Sequence, residues 1–215
     1  DSTAERRMLG RLAELRSWAD AAAFADHGCG AVTGPLLTQA APLLRPAVHV
    51  IVGDVSGPRR TLTMMNEFDL LTPGERELRG AMGDFDQSLP SVAMSLMKKL
   101  RVGRLAVTMG RRGCVLFRPR EDEPDDWFQS RLRSEFVPAL NERAVDPVGA
   151  GDAFTAAATL GLAAGASVNV AGYLASAAAA IAVDHPGNVP VRADVLTAWL
   201  SRRSELHPPA VATAG

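Results

Sequence analysis

Apolar positions recur along this chain in two rhythms. Met8, Leu12, Leu15 and Ala19 fall at helical intervals behind Ser2 and Glu5, whose spacing is that of a capping box. That pattern predicts a helix over 3–19. The short apolar run AAAFAD (21–26) predicts a buried strand, closed by the turn HGCG at 27–30. A helix is predicted for PLLTQAAPLL (35–44). AVHVIVGD (47–54) is β-branched and apolar, as a strand covered on both faces must be. FDLLTP (68–73) reads as a further strand stopped by Pro73, followed by helices over 75–81 and 90–100. RLAVTMG (104–110) and GCVLFRP (113–119) flank a tight turn and predict a hairpin, with SEFVPAL (134–140) as an edge strand. A small-residue helix is expected from Ala153 to Ala164, ended by Gly165. Ser167 caps the next, which reaches Val183, and a last helix covers 192–203. REDEPDDW (120–127) reads as a solvated loop, and the tail from 206 as flexible.

Strands alternating with helices predict an α/β fold, a three-layer αβα arrangement around a mainly parallel sheet. Ligands in such sheets bind beyond the carboxyl ends of the strands. The glycine-rich turns at 28–30, 110–113 and 149–151 each follow a strand-like run, so all three are expected on one edge.

Composition narrows the chemistry. The chain has 215 residues, 47% of them hydrophobic, enough for a sizeable core. A net charge of −1 argues against a nucleic-acid partner. Cys29 and Cys114 are too few and too far apart for a disulfide scaffold, and point to reduced thiols in a cytoplasm. His27, His49, His185 and His207 show no metal-site spacing. No run approaches the ~18 apolar residues of a membrane span.

The stretch DPVGAGDAF (146–154) carries the strongest signal. A dinucleotide fingerprint needs a small residue where Phe154 stands, and a phosphate loop of the Walker type needs a lysine that is missing. The remaining reading is an anion cradle. Backbone N–H groups of Gly149, Ala150 and Gly151 would converge at a helix amino end, where the macrodipole favours negative charge. Asp152 then has two readings. It is a helix N-cap, which spacing alone favours, or a general base beside the cradle.

The same stretch resembles the carboxyl-terminal signature of the ribokinase-like (PfkB) carbohydrate kinases, D-[TP]-x-G-A-G-D-x-F. FADHGCGAVT (24–33), VIVGDVSG (50–57), DLLTPGERE (69–77), VTMGRRGCVLF (107–117) and ASAAAAIAVDHPGNVPV (175–191) are similar, in the same order, to stretches of the heptose-phosphate kinases that feed ADP-heptose synthesis. The resemblance implies ATP-dependent transfer of the γ-phosphoryl group to a hydroxyl of a sugar or sugar phosphate. It implies Asp152 as catalytic base and Gly149, Ala150 and Gly151 as the anion hole. Thr108, Gly110, Gly113, Ser176 and Gly187 fall at nucleotide-side positions, and Glu77 matches a glutamate that organises magnesium through water. Asp146, the carbonyl of Val148 and Gly187 fall where family members hold a monovalent cation such as potassium. It further implies that residues 1–205 are the carboxyl-terminal portion of such a domain, with amino-terminal strands and lid missing. A homodimer, or an amino-terminal segment, is the expected partner.

Several positions depart from the family pattern. Gly74 replaces an asparagine, Cys29 and Ser56 replace two lysines, His27 a tyrosine and Val148 a threonine. Lost lysines remove positive charge from a site that must hold several phosphates, and Arg59 or Arg111 are the available substitutes. The rival reading is a catalytically degenerate subunit acting as a binding or structural partner.

Overall fold

The computed structural model describes residues 2–57, 59–120, 131–141 and 143–206. Its centre is a six-stranded sheet in which spatial order follows chain order. β1 (Ala21–Asp26), β2 (Val50–Val55), β3 (Leu70–Leu71) and β4 (Leu105–Thr108) run parallel. β5 (Cys114–Arg118) and β6 (Arg133–Val137) continue the sheet antiparallel, so the predicted hairpin and edge strand are both present.

Alternation along the strands feeds two cores. Ile51, Val55, Leu71, Leu105, Val107 and Phe117 pack on one face, against α2 (Gly34–Leu44) and α4 (Leu89–Leu100) through Leu37, Leu44, Val92 and Leu96. Leu78 of α3 (Glu75–Met82) joins the same core. Val50, Val52, Leu70, Ala106, Cys114 and Leu116 pack on the other face, against α5 (Ala150–Ala163) and α6 (Val168–Ala182) through Phe154, Ala158, Leu162 and Ala175. Each large side chain removed from water in this way contributes about 1.5–3 kcal/mol. α1 (Ser2–Leu15) lies outside this sandwich and rests Leu9 and Leu12 on the first core. α7 (Ala193–Leu200) contacts α6.

Local chemistry explains the helix starts. Thr33 Oγ1 accepts the Leu36 amide, Ser88 Oγ that of Ser91 and Ser167 Oγ that of Val170, at 3.3, 3.4 and 3.3 Å. Pro35 and Pro90 occupy first-turn positions where no N–H is needed. α5 and α6 approach closely because their contact is made of small residues; a Cβ on Gly161 would lie 3.2 Å from the Ala171 backbone.

The structure corrects several expectations. α1 ends at Leu15 and already includes Ser2, so Ser2 is not its cap; the Glu5 carboxylate accepts the Thr33 hydroxyl at 2.5 Å, tying α1 to α2. β3 is only Leu70–Leu71, because its register with β2 is limited to Val52↔Leu70 and Gly53↔Leu71. α5 starts at Ala150 rather than Ala153, since Gly149 takes a left-handed conformation and serves as its N-cap. Residues 121–127 of the acidic loop, and the tail from 207, lie outside the described residues.

Candidate active site

The carboxyl ends of β1, β2 and β4 and the amino end of α5 meet along one edge of the sheet. Two cavities open there. One, of about 1010 Å³, is lined among others by Asp54, Thr72, Glu77, Gly149, Gly151 and Asp152. The other, of about 410 Å³, is walled by Cys114, Phe154, Ser176, Ala179, Ala180 and Val183. Thr108, Gly110 and Gly151 line both, so the two spaces adjoin over the first turn of α5.

Asp152 is the third residue of α5, not its N-cap, and among the described residues the partner its side chain meets is His27. The cap reading favoured by spacing is therefore not the one observed. The N-cap place is taken by Gly149, and the Asp152 carboxylate faces the larger cavity with His27 Nε2 at 3.7 Å from Oδ1. The cradle also differs in detail. The Ala150 amide closes a turn onto the Pro147 carbonyl at 3.3 Å, whereas the amides of Gly149 and Gly151 have no backbone acceptor among the described residues. Two orphan donors of a first helical turn, with the positive end of the helix behind them, are suited to phosphate oxygens.

Glu77 is held by backbone. Its Oε1 accepts the Gly57 amide at 2.7 Å and its Oε2 the Gly74 amide at 2.6 Å. These bonds fasten the loop after β2 to the start of α3. A Cβ on Gly74, where the family pattern has asparagine, would lie 3.1 Å from Glu77 Oε2. Asp54, at the end of β2, has no sequence signal of its own although it stands in a stretch that carries the resemblance. It is 7% exposed, and burial together with the charge of Glu77 pushes its carboxyl up to about 7. Asp54 and Glu77 are the carboxylates of this cavity that could hold a divalent cation, Glu77 through its remaining lone pairs or water.

Of the residues the resemblance puts on the nucleotide side, Thr108, Gly110, Gly113 and Ser176 line the smaller cavity, and Gly187 lines neither. Thr108 ends β4, and its amide donates to the Pro73 carbonyl at 3.0 Å. Gly113 has φ +91°, and a Cβ there would run into the Val137 carbonyl oxygen, so this glycine lets the β4–β5 turn pack onto β6. Ser176 is buried in α6 with its hydroxyl 3.6 Å from Cys114 Sγ. Glu75 joins Arg79 and Arg112, which anchors the turn at 110–112 to α3. The Arg112 guanidinium, then Arg79, holds the Glu75 carboxyl below its usual range.

Asp146 and Gly187 also meet. Asp146 Oδ1 accepts the Val148 amide at 3.0 Å and Oδ2 the Gly187 amide at 2.9 Å, and both bonds hold that carboxyl below its usual range. The carboxylate shapes the loop before α5. Of the arginines expected to replace lysine, Arg59 lays its guanidinium over Gly28, and its Nε donates to the Ser56 carbonyl at 3.1 Å. Arg111 lines the smaller cavity.

The mainly parallel sheet, continued by two antiparallel strands and covered by helices on both faces, is a ribokinase-like fold. Phosphofructokinase-2 from Escherichia coli, solved in complex with potassium, superposes with a TM-score of 0.73 at 21% identity, covering 92% of this chain and 62% of that one. Arabidopsis thaliana ribokinase complexed with ribose and ATP gives 0.68 at 23% identity, covering 87% and 58%. The profile of the pfkB family carbohydrate kinases matches residues 17–192, and the chain belongs to that family. Among named relatives it is 28% identical over 206 residues to the bifunctional protein HldE of Bradyrhizobium sp. (strain ORS 278), covering 94% of this chain and 39% of that protein. It is 30% identical over 178 residues to HldE of Desulfatibacillum aliphaticivorans, covering 81% and 34%. The chain thus spans well under half the length of these relatives. No helix among the described residues is long and apolar enough to cross a membrane.

Proposed function

We propose that this chain carries out ATP-dependent transfer of the γ-phosphoryl group to a hydroxyl of a sugar or sugar phosphate, with Asp152 as general base. One observation carries the reading. Asp152 stands uncapped in the first turn of α5, beside the free amides of Gly149 and Gly151, on a cavity that adjoins a second, apolar one. The apolar cavity is sized for a purine, and the helix mouth then receives the phosphates. The acceptor hydroxyl gives its proton to Asp152 while its oxygen bonds to the γ-phosphorus. The bond from that phosphorus to the β–γ bridging oxygen breaks, and ADP leaves with the electron pair. The Gly149 and Gly151 amides donate to the transferred group as its charge shifts, a preorganised electrostatic effect. A magnesium ion held by Asp54 and Glu77 would supply neutralisation of the phosphates. Asp146, the Val148 carbonyl and Gly187 are the proposed monovalent-cation positions. Asp146 and Val148 lie in the loop before α5, and Gly187 reaches them from the turn after α6.

Asp152→Asn tests the assignment. With fold checked by circular dichroism and ATP binding by calorimetry, kcat is expected to fall by about 10²–10⁴ while ATP affinity holds. Unchanged turnover would remove Asp152 from the chemistry. The substitutions at Cys29 and Ser56 favour one rival, a catalytically degenerate chain acting as a binding or structural partner. A folded chain that binds no ATP analogue with magnesium is its signature.

A further inference from the structure

Next to Asp152, a residue that lines the larger cavity, stands a histidine that the phosphoryl-transfer reading does not use. His27 follows the last residue of β1, in the turn before α2. Its ring bridges two other elements. Nδ1 lies 3.1 Å from Ser56 Oγ, just beyond β2, and Nε2 lies 3.7 Å from Asp152 Oδ1, in the first turn of α5. The turn that carries it is itself held. Asp26 accepts the Gly28 amide at 2.8 Å through Oδ1 and the Thr61 hydroxyl at 2.5 Å through Oδ2, and Arg59 covers Gly28. Asp26 is buried, so the ring stands on a fixed base although the side chains of His27 and Asp152 are 51% and 45% exposed.

The geometry is compatible with one useful tautomer. With the Ser56 hydroxyl donating to Nδ1, the ring proton lies on Nε2, the nitrogen that faces the carboxylate. We infer that His27 is a positioning residue for Asp152, resting on the assignment of that aspartate as base. Its Nε2–H holds Oδ1 toward β1 and leaves Oδ2 for the acceptor hydroxyl. An aspartate in a first helical turn otherwise has its own helix amides as competing donors, and every moment spent on them removes it from the reaction. The 3.7 Å separation is loose, as such contacts are before substrate closes the site.

The test uses the full chain and two substitutions. His27→Gln keeps an N–H where Nε2 stands; His27→Phe keeps a ring and removes it. ADP release is followed with D-ribose, D-fructose 6-phosphate and a heptose phosphate as acceptors. H27F is expected to lower kcat about tenfold and H27Q to stay within about threefold of the parent, with KM for ATP unchanged in both, because orientation and not nucleotide binding is affected. A second measurement needs no turnover. The ring nitrogen resonances of His27 are expected to move in Asp152→Asn and to stay in place in Asp194→Asn, a change to a carboxylate on α7 that pairs with Arg192. Equal kcat in H27F and H27Q, or His27 resonances indifferent to Asp152→Asn, overturns the inference. If the parent chain phosphorylates no acceptor, the kinase reading falls, and the resonances alone then decide whether ring and carboxylate are paired.

Discussion

The two halves of the site are built from different materials. The half around the smaller cavity is made mostly of backbone and small side chains: the β4–β5 turn pressed onto β6, the Ser176 and alanine face of α6, and the first turn of α5. The half around His27, Ser56 and Arg59 is made of side chains reaching across gaps between strand ends, most of them exposed. Backbone walls tolerate little change because a Cβ in the wrong place meets an atom that cannot move. Side-chain walls can be rebuilt one residue at a time. The departures from the family pattern at Cys29, Ser56 and His27 all fall in the second kind of wall.

Two glycines test that contrast. Gly113→Ala places a methyl against the Val137 carbonyl oxygen with φ at +91°, so overpacking and backbone strain add. A loss of about 4 kcal/mol in urea unfolding is expected. A loss under about 1 kcal/mol would show that the backbone wall yields. A second effect, on the order of 3 kcal/mol, concerns Asp54 on the floor between the halves. Its folded value of about 7 exceeds the ordinary 3.8, so the native state holds this proton more tightly than the unfolded chain. Stability from this group is present at low pH and is lost as pH rises from about 4 through about 7, levelling above. Denaturant curves at pH 5 and pH 8 should show that drop in the parent chain and not in Asp54→Asn, with magnesium restoring the parent at pH 8. The smallest effect is Gly28→Ala. The new methyl meets only the tip of Arg59, which can swing away, so the cost is that of a φ of +75°, about 1 kcal/mol. Thermal unfolding that ranks Gly28→Ala at or above Gly113→Ala would erase the distinction between the halves.

Much of the fold was legible in the chain, for a local reason. β1 falls at 21–26 as its apolar run predicts, and the hairpin at 105–118 and the Ser167 cap follow from short patterns. The misreadings have tertiary causes. Glu5 was assigned to its own helix but finds Thr33 on another, and β3 is cut to a pair of residues by its register with β2. In the site, the residues of the 146–154 stretch were readable because the cradle is one contiguous turn. Asp54 was passed over because nothing next to it in sequence marks it; Glu77, the charge that raises its proton affinity, is brought to it by the tether to Gly57.

By itself the sequence determined the periodicities, the order of the elements and the glycine turn before Asp152, because each depends on residues within a few positions of one another. Only the tertiary structure decided that the turn's aspartate faces a cavity instead of capping its helix, that its neighbour is His27, and that Asp54 sits beside Glu77. Those pairings join strand ends and helix mouths far apart in the chain. Their distances are set by how the sheet and its two helical layers pack, and no local pattern encodes that.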